Sequence, residues 1–370
     1  MKIFEQTAIG GMGLRNRLVR SATWEGMCEK DGRPTERLAA CYRALAEGGA
    51  GLIITGYAFV RPDGRQMPGK MGMHTDDFSG DMLKLTSTVH DAGGRLCVQI
   101  VHVGGQTRAK TIGRRPMAPS AVKVPQFPEE PQAMTVKEID EVVAAFGEAA
   151  RRARRFGFDA VQLHAAHGYL INQFLSPLTN RRTDGYGGTV ENRCRFLLEV
   201  YRRVRLEAGP DFPVLVKLNA SDNLEGGLAL PDAVFAARLL DDEKIDAIEV
   251  SSGTAASGEN GPERKKIDGP GREAYNLALA REIKKAVRCP VISVGGFRSP
   301  EVIEKALSEV DYVSMSRPFI REPQLANRWL AGDTSPARCI SCNGCFRPGI
   351  REGGIYCVND KKQKAKSKNR

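Results

Sequence analysis

Eight short β-rich runs alternate with helical patterns along the chain, and this alternation limits the fold more than any other feature. The runs are apolar without a strict polar alternation, as expected of strands buried on both faces of a parallel sheet. Between them, Thr135 and Glu138 form a candidate capping box for a helix at 136–156, and Ser299 with Pro300 begins a helix at 299–307. The runs are RLVRSA (17–22), GLIITG (51–56), RLCVQIV (95–101), AVQLH (160–164), VLVKLNA (214–220), AIEVSS (247–252), PVISVGG (290–296) and DYVSMS (311–316).

Eight strands with intervening helices in a chain of 370 residues predict an α/β fold, a (β/α)8 TIM barrel. A doubly wound sheet is the alternative, but no Gly-x-Gly-x-x-Gly motif follows the first strand. The proline-rich residues 113–134 predict an irregular excursion over the top of the barrel. We assign residues 1–335 to the barrel, 336–360 to a cysteine-rich extension packed on it, and 361–370 to a disordered basic tail.

The net charge of +11 first suggests an acidic partner, but its distribution argues against nucleic acid. The segment KKQKAKSKNR (361–370) carries six basic and no acidic side chains, and no nucleic-acid-binding motif occurs elsewhere. The chain opens without the apolar region of a secretory signal and has no run of about 18 apolar residues. The sequence therefore predicts a cytoplasmic protein with no nucleic-acid or membrane partner, and leaves a homo-oligomer open.

The nine cysteines fall into two groups. Five are scattered and are interpreted as buried or inert thiols. The other four have the spacing C-x2-C-x2-C-x11-C, which in a cytosolic chain indicates a metal or iron–sulfur site rather than disulfides. These candidate ligands are Cys339, Cys342, Cys345 and Cys357.

Side chains that carry chemistry collect at the predicted strand ends, where the sites of TIM barrels are built. After the last two strands, Gly295 and Gly296 and then Ser316 and Arg317 predict a site for a phosphorylated ligand. Two ordinary glycine turns and a surface arginine are the alternative. The other strand ends contribute Ala22, Thr23, Trp24, Tyr57, Gln99, His102, His164, His167, Lys217 and Ser251.

The stretch LHAAHGYLINQFLSPLTNRRTDGYGG (163–188) places His164, His167 and Tyr169 at the end of the fourth strand. A catalytic zinc would need a third protein ligand, which no histidine or glutamate in this stretch supplies. A merely structural pair is the second alternative. The interpretation that we favour is that the two imidazoles bind a substrate oxygen while the Tyr169 hydroxyl supplies a proton.

This stretch resembles the signature of the Old Yellow Enzyme family, the FMN-dependent NADH:flavin oxidoreductases and ene-reductases. NRLVRSATWEG (16–26), GLIITG, VQIVHVGGQ (98–106) and EVSSG (249–253) follow in family order. The cysteine group resembles that of the iron–sulfur branch, which includes 2,4-dienoyl-CoA reductase, trimethylamine dehydrogenase and enoate reductases. Members of that branch carry two further nucleotide-binding domains. Because the chain ends soon after Cys357, we expect a version truncated to the barrel.

The resemblance implies non-covalent FMN and assigns roles around it. His164 and His167 would hold the electron-withdrawing oxygen of the substrate, and Tyr169 would protonate the α-carbon. Lys217 would lie near flavin N1 and C2=O, where a cation favours the reduced flavin, and Gln99 would contact the pyrimidine side. Trp24 stands where relatives often have a smaller residue, and either faces the flavin or packs within its loop. The remaining implied cofactor-binding residues are Ala22, Thr23, Tyr57, Gly295, Gly296, Ser316 and Arg317.

The implied activity is reduction of an activated C=C bond in an α,β-unsaturated carbonyl, acid or thioester, with NADH or NADPH as the electron donor. The alternative is an iron–sulfur flavoprotein subunit that exchanges electrons with a partner protein, running as a dehydrogenase. A non-redox barrel that binds a phosphorylated ligand is a third option. For the four cysteines the resemblance implies a [4Fe–4S] cluster, with zinc and an empty motif as the alternatives.

Overall fold

The structure, a computed structural model, describes residues 1–361. The predicted basic tail at 361–370 lies outside these residues, apart from Lys361. The strands are β1 (Thr7–Ile9), β2 (Met12–Leu14), β3 (Leu18–Arg20), β4 (Leu52–Ile54), β5 (Ala58–Phe59), β6 (Met71–Gly72), β7 (Leu96–Val101), β8 (Met117–Ala118), β9 (Gln132–Ala133), β10 (Ala160–Ala165), β11 (Val214–Asn219), β12 (Ala247–Ser251), β13 (Val291–Val294) and β14 (Tyr312–Met315).

Helices follow most of the strands and cover the outside of the sheet. Short 3-10 turns lie at Lys2–Phe4, Pro62–Gly64, Gly258–Asn260 and Pro270–Arg272. The α-helices are α1 (Glu36–Glu47), α2 (Ser79–Asp91), α3 (Ala109–Ile112), α4 (Val136–Arg155), α5 (Leu170–Leu175), α6 (Val190–Ala208), α7 (Leu230–Asp242), α8 (Leu277–Ala286), α9 (Pro300–Ala306), α10 (Arg317–Arg321), α11 (Leu325–Leu330) and α12 (Phe346–Arg351). None of the helices in residues 1–361 has the length and apolar composition needed to cross a lipid bilayer.

Eight of the strands form a closed parallel barrel, which confirms the predicted TIM fold. The order around the barrel is β3, β4, β7, β10, β11, β12, β13 and β14, and β14 pairs with β3 to close it. Each of the eight β-rich runs contains one barrel strand. An open, doubly wound sheet is wrong, because such a sheet would leave two unpaired edge strands.

The interior of the barrel changes character along its axis. Near the start of the strands, alternate residues such as Val19, Leu215 and Tyr312 point inwards and form an apolar layer. The β1–β2 hairpin packs onto this layer, and the Tyr312 hydroxyl donates to the carbonyl oxygen of Ala8 at 2.8 Å. The hairpin closes this end of the barrel, so the interior opens where the strands finish.

Two predicted helix starts had different outcomes. The capping box of α4 is confirmed, because the Thr135 hydroxyl accepts from the Glu138 amide and the Glu138 carboxylate accepts from the Thr135 amide. Ser299 is the N-cap residue of α9 and Pro300 its first residue, as predicted. Its hydroxyl does not cap, however, because the Glu273 carboxylate accepts from both the hydroxyl and the amide of Ser299.

The cysteine-rich extension lies against the end of the barrel at which the strands finish. The Ile355 amide donates to the carbonyl oxygen of Glu25 at 2.8 Å, and the Arg321 guanidinium forms an ion pair with Asp360 at 2.9 Å. The irregular excursion at 113–134 crosses the same end, where Gln126 donates to the carbonyl oxygen of Ala255 in the loop after β12. Both segments thus border the open end of the barrel.

Candidate active site

A cavity of about 370 Å³ occupies the open end of the barrel. Its volume is within the range of pockets that hold small molecules and cofactors. The structure brings nearly all of the predicted cofactor-binding and catalytic residues together around it, and Gly295 lies next to Gly296 at its edge. The predicted residues that line the cavity are Ala22, Thr23, Trp24, Tyr57, Gln99, His164, His167, Tyr169, Lys217, Gly296, Ser316 and Arg317.

A buried polar layer, here called the floor network, separates this cavity from the apolar layer below. It is centred on Glu249, which is fully buried and accepts from Lys217 at 3.2 Å and from Gln162 at 2.9 Å. Gln99 in turn donates to Gln162 at 2.7 Å. The remaining members of the floor network are Ser21 and Ser314, whose hydroxyls donate to Glu249.

Glu249 determines the charge state of the floor network. Burial acts to raise its pKa, but the attraction of Lys217 and the hydrogen bonds from Ser21, Ser314 and Gln162 outweigh burial and hold the pKa below its usual value. Glu249 is therefore an ionised carboxylate. It balances a lysine cation that is only 3% exposed and lies directly beneath the cavity.

His164 and His167 form a perpendicular pair above the floor network, with ring centres 5.0 Å apart. Burial holds the pKa of both imidazoles well below the usual value, and the positive charge of Lys217 acts in the same direction. Both rings are therefore neutral. The Ala166 amide donates to Nδ1 of His164, which leaves the ring proton on Nε2, and Nε2 of His167 lies 2.8 Å from the Ser251 hydroxyl.

The backbone at His167 is held in an uncommon conformation. Its φ of 61° lies in the left-handed region, which residues other than glycine rarely adopt. Gln106 donates to the carbonyl oxygen of His167 at 2.8 Å, and a β-bridge joins His167 to Thr254. These contacts hold the backbone at His167, and the hydrogen bond with Ser251 orients its ring. Backbone strain of this kind often occurs at functional sites.

Tyr169 stands beside the histidines. Its ring packs edge-on against His164 at 4.7 Å and against Tyr57 at 5.2 Å. Burial raises the pKa of Tyr169 to about 12, so the phenol keeps its proton at neutral pH. The Tyr57 hydroxyl donates to Gln66 at 2.8 Å, which orients the second tyrosine in this wall.

The far end of the cavity has the features of a phosphate site. Gly296 has a φ of 75°, and a Cβ there would lie 3.0 Å from the Tyr275 ring, so the turn requires glycine. Arg298 follows this turn, lines the cavity and has a buried Nε with no hydrogen-bond partner within residues 1–361. The Arg317 guanidinium donates to the side-chain oxygen of Asn343 at 2.6 Å. Close backbone approach and two guanidinium groups suit a phosphate monoester such as that of FMN.

Trp24 lies between the cavity and the cysteine-rich extension. It lines the cavity, and a Cβ added to Gly349 of α12 would lie 3.1 Å from its ring. Its indole N–H is buried and has no partner among the residues that the structure describes. Trp24 therefore lines the cavity and packs against α12, and its contact with the flavin stays a prediction.

The four clustered cysteines surround a second, small cavity of about 20 Å³. All are free thiols, and the Ser341 amide and the Asn359 side chain direct N–H groups at the sulfurs of Cys339 and Cys342, at 3.5 and 3.8 Å. In residues 1–361 no three His, Cys, Asp or Glu side chains converge on the position of one metal ion. Four thiols with N–H groups aimed at sulfur fit a sulfur-ligated cluster, and the metal role stays a prediction.

The two cavities share walls. Cys339 and Arg317 line both of them, so the cysteines adjoin the phosphate end of the main cavity. This adjacency is not predicted from the sequence, because Arg317 and Cys339 belong to separate motifs. Four further residues that line or support the main cavity are also not predicted: Gln162, Glu249, Lys70 and Arg298.

Comparison with known proteins agrees with this geometry. Residues 2–333 match the NADH:flavin oxidoreductase / NADH oxidase family. An NADH oxidase from Thermoanaerobacter brockii is 37% identical over 350 residues, which are 93% of this chain and 53% of that protein. A 4,4'-dithiodibutanoate disulfide reductase from Rhodococcus erythropolis is 32% identical, and the match covers 97% of this chain and 95% of the relative.

Among solved structures, the complex of 2-naphthoyl-CoA reductase with 2-naphthoyl-CoA is similar with a TM-score of 0.89 at 28% identity. The similarity covers 96% of this chain and 56% of that chain. It therefore extends past residue 333 into the cysteine-rich extension. The chain spans about half the length of the Thermoanaerobacter relative and of the naphthoyl-CoA reductase.

Proposed function

Because the chain belongs to the NADH:flavin oxidoreductase / NADH oxidase family, we propose that it is an FMN-dependent enzyme that reduces an activated C=C bond with NADH or NADPH. The proposed substrates are α,β-unsaturated carbonyls, acids or thioesters, and the similarity to a naphthoyl-CoA reductase supports this class. The observation that carries the proposal is the meeting of two neutral histidines and a protonated tyrosine, His164, His167 and Tyr169, above a buried lysine.

The two histidines bind the oxygen of the substrate. Reduction of a C=C bond conjugated to a carbonyl places negative charge on that oxygen, and two fixed N–H donors stabilise this charge as it develops. A neutral imidazole can donate one hydrogen bond. Because their pKa values are depressed, both His164 and His167 are neutral at neutral pH. The contact with Ser251 orients the ring of His167.

Tyr169 supplies the proton. Its hydroxyl is protonated at neutral pH and its ring lies against His164, so it stands next to the proposed oxygen site. A general acid at this position delivers a proton to the α-carbon. One NAD(P)H and one proton are consumed in the overall reaction, and C=C becomes CH–CH.

The cavity suits FMN, and we propose that the residues lining the cavity bind this cofactor. When bound, FMN would take a hydride from NAD(P)H and supply it to the β-carbon of the substrate. Lys217, which forms an ion pair with Glu249, would stabilise negative charge in the ring, and Arg298 adds to the predicted phosphate donors. The proposed contacts are Ala22, Thr23, Trp24, Tyr57, Gln99 and Lys217 to the ring, and Gly295, Gly296, Ser316 and Arg317 to the phosphate.

The cofactor assignment is tested by denaturing the purified protein and identifying the released flavin by chromatography. We expect a yellow protein that releases FMN, because no adenine-binding element accompanies the phosphate end of the cavity in residues 1–361. Recovery of FAD, a flavin that stays with the precipitate, or a colourless protein that does not bind added FMN would contradict the assignment.

A second candidate function is favoured by the shared walls of the two cavities. If Cys339, Cys342, Cys345 and Cys357 of the extension at 336–360 hold a [4Fe–4S] cluster, that cluster adjoins the phosphate end of the main cavity. The protein would then be an iron–sulfur flavoprotein that exchanges electrons with a partner protein and runs as a dehydrogenase. Iron and sulfide analysis of anaerobically purified protein, beside a zinc assay, distinguishes a cluster from zinc.

The Cys342→Ala variant separates the two functions. In the partner-driven enzyme it should abolish turnover with the partner and leave turnover with chemically reduced flavin largely intact. Rapid reduction of FMN by NAD(P)H in a protein that contains only zinc would instead leave the self-sufficient reductase as the function.

A further inference from the structure

Lys70 is a buried lysine side chain that has no acidic partner within residues 1–361. It is 4% exposed and lines the main cavity, yet it forms no hydrogen bond or ion pair within residues 1–361. Three of the other four buried lysine and arginine side chains in residues 1–361 form ion pairs: Arg20 with Glu25, Arg193 with Asp232 and Lys217 with Glu249. The fourth, Arg317, donates hydrogen bonds to the Asn343 side chain and to the carbonyl oxygen of Arg264.

The surroundings of Lys70 hold the ammonium at the wall of the cavity. Its nitrogen lies 4.0 Å from the centre of the Tyr57 ring and 4.9 Å from that of Trp24, so two aromatic faces contact the cation. Tyr57 also packs edge-on against His164 and Tyr169, at 6.2 and 5.2 Å. Lys70 therefore belongs to the same wall as the proposed catalytic residues.

The acids nearest to Lys70 do not serve as its partner. Glu25 is committed to Arg20 at 2.7 Å, to the Tyr42 hydroxyl at 2.8 Å and to the Gly56 amide at 3.0 Å. Glu263 lines the cavity without an ion pair to Lys70. Burial lowers the pKa of Lys70 to about 7, with Glu25 and Glu263 acting only to limit the fall. At neutral pH the side chain is therefore only partly protonated, and an anion that enters through the cavity would favour the charged ammonium.

We propose that Lys70 binds a carboxylate of the substrate, so that the enzyme prefers enone-type substrates that carry a carboxylate over neutral ones. This inference rests on the proposed function and narrows its substrate class. The carbonyl oxygen is bound by His164 and His167, and Lys70 binds the anionic group elsewhere on the same molecule. The Lys70 nitrogen lies over the faces of Tyr57 and Trp24, and its side chain lines the cavity in which the substrate would bind.

Binding is tested with ligand pairs that differ only in charge. Phenolates that stack on a flavin give a charge-transfer band, so 3- and 4-hydroxybenzoate can be compared with 3- and 4-methylphenol in titrations of the FMN-loaded protein. We expect Lys70→Met to weaken hydroxybenzoate relative to methylphenol by about 10- to 100-fold, as for a lost charge-assisted hydrogen bond. Lys70→Arg keeps the charge and should recover much of the preference. The FMN content of each variant controls for folding.

A matched pair of substrates provides the second measurement. The kcat/KM ratio of a β-acylacrylic acid to its methyl ester should fall in Lys70→Met by the same factor as the binding preference. A ratio that is equal in wild type, Lys70→Met and Lys70→Arg would overturn the inference while leaving the proposed reductase intact. Weaker binding of NADH or NADPH without any change for hydroxybenzoate would assign Lys70 to the nucleotide phosphates and would also overturn it. Failure of both phenols and both substrates with the wild-type protein would overturn the proposed function itself.

Discussion

The main cavity and the cysteine-rich extension are neighbours, but they are held in place by different kinds of contact. Around the cavity, eight parallel strands fix the backbone and the floor network joins Lys217 and Glu249 at less than 4% exposure. The extension contains the six-residue helix α12 and is attached by contacts such as the partly exposed Arg321–Asp360 pair. The side chains of the main cavity are therefore held by a closed sheet and a buried hydrogen-bond network, whereas the four thiols lie in a segment with less regular structure.

The largest effect should come from Tyr169, because the proposed proton donor lies in the wall of the main cavity. Tyr169→Phe should slow the oxidative half-reaction with an enone by about 10²–10⁴-fold, the usual contribution of a positioned general acid. Reduction of FMN by NAD(P)H should hardly change. Stopped-flow measurement of each half-reaction checks this, and an equal loss in both would assign Tyr169 another role.

The next largest effect is on the free energy of unfolding, and it tests whether the floor network stabilises the folded barrel around the cavity. Glu249→Ala leaves Lys217 buried without a counter-ion and should lower the free energy of unfolding by about 3–5 kcal/mol. The midpoint of urea unfolding, measured at one fixed FMN concentration, reports the change. The double variant Lys217→Met/Glu249→Gln removes both charges and should recover much of the stability. A double variant as unstable as Glu249→Ala would show that charge balance is not the cause.

A smaller loss is expected at His164 and His167, the proposed ligands of the substrate oxygen. His164→Ala and His167→Ala should each weaken phenol-type ligands by about 1.5–3 kcal/mol, the worth of a hydrogen bond to a charged group. Charge-transfer titration gives the affinities. Unchanged binding in both variants would refute the proposed oxygen site. A fall in the urea midpoint as large as the loss of binding would show that the two histidines stabilise the fold instead.

The smallest effect should come from the extension. Asp360→Asn removes the partner of Arg321, a pair whose side chains are 10% and 27% exposed, and should cost about 1 kcal/mol or less. The urea midpoint and FMN affinity should stay close to those of the wild type. A loss as large as that of Glu249→Ala would mean that the extension is an integral part of the barrel.

The barrel could be predicted from the sequence because buried parallel strands require a strong pattern of apolar residues. Apolar runs separated by helices predict the sheet, and the parallel arrangement brings the strand ends together, so Gln99, Lys217 and Ser316 meet as expected. Gln162 and Glu249 were missed although the same pattern contains them. Each follows an inward alanine by two positions, as Lys217 follows Leu215, and a polar residue at such a position must face other polar groups inside the barrel.

Other parts of the site depend on contacts that no local pattern contains. Lys70 lies in a loop before β6, and its burial results from Trp24 and Tyr57, which are distant in sequence. The Ser299 hydroxyl is taken by Glu273 from another loop. Asn343 comes between two of the clustered cysteines, and nothing in their spacing indicates that it accepts from Arg317. Such pairs depend on tertiary packing, which brings together residues that no local sequence pattern connects.

The hairpin that closes the lower end of the barrel has a kinetic consequence. With Ile9, Met12 and Leu14 packed onto the apolar layer and the floor network above it, small molecules reach the cavity from the open end alone within residues 1–361. In the proposed enzyme, the electron donor and the electron acceptor would then bind one after the other in the same space. Oxidised nucleotide must depart before the acceptor arrives. Double-reciprocal plots should be parallel, and an excess of either reactant should inhibit the other.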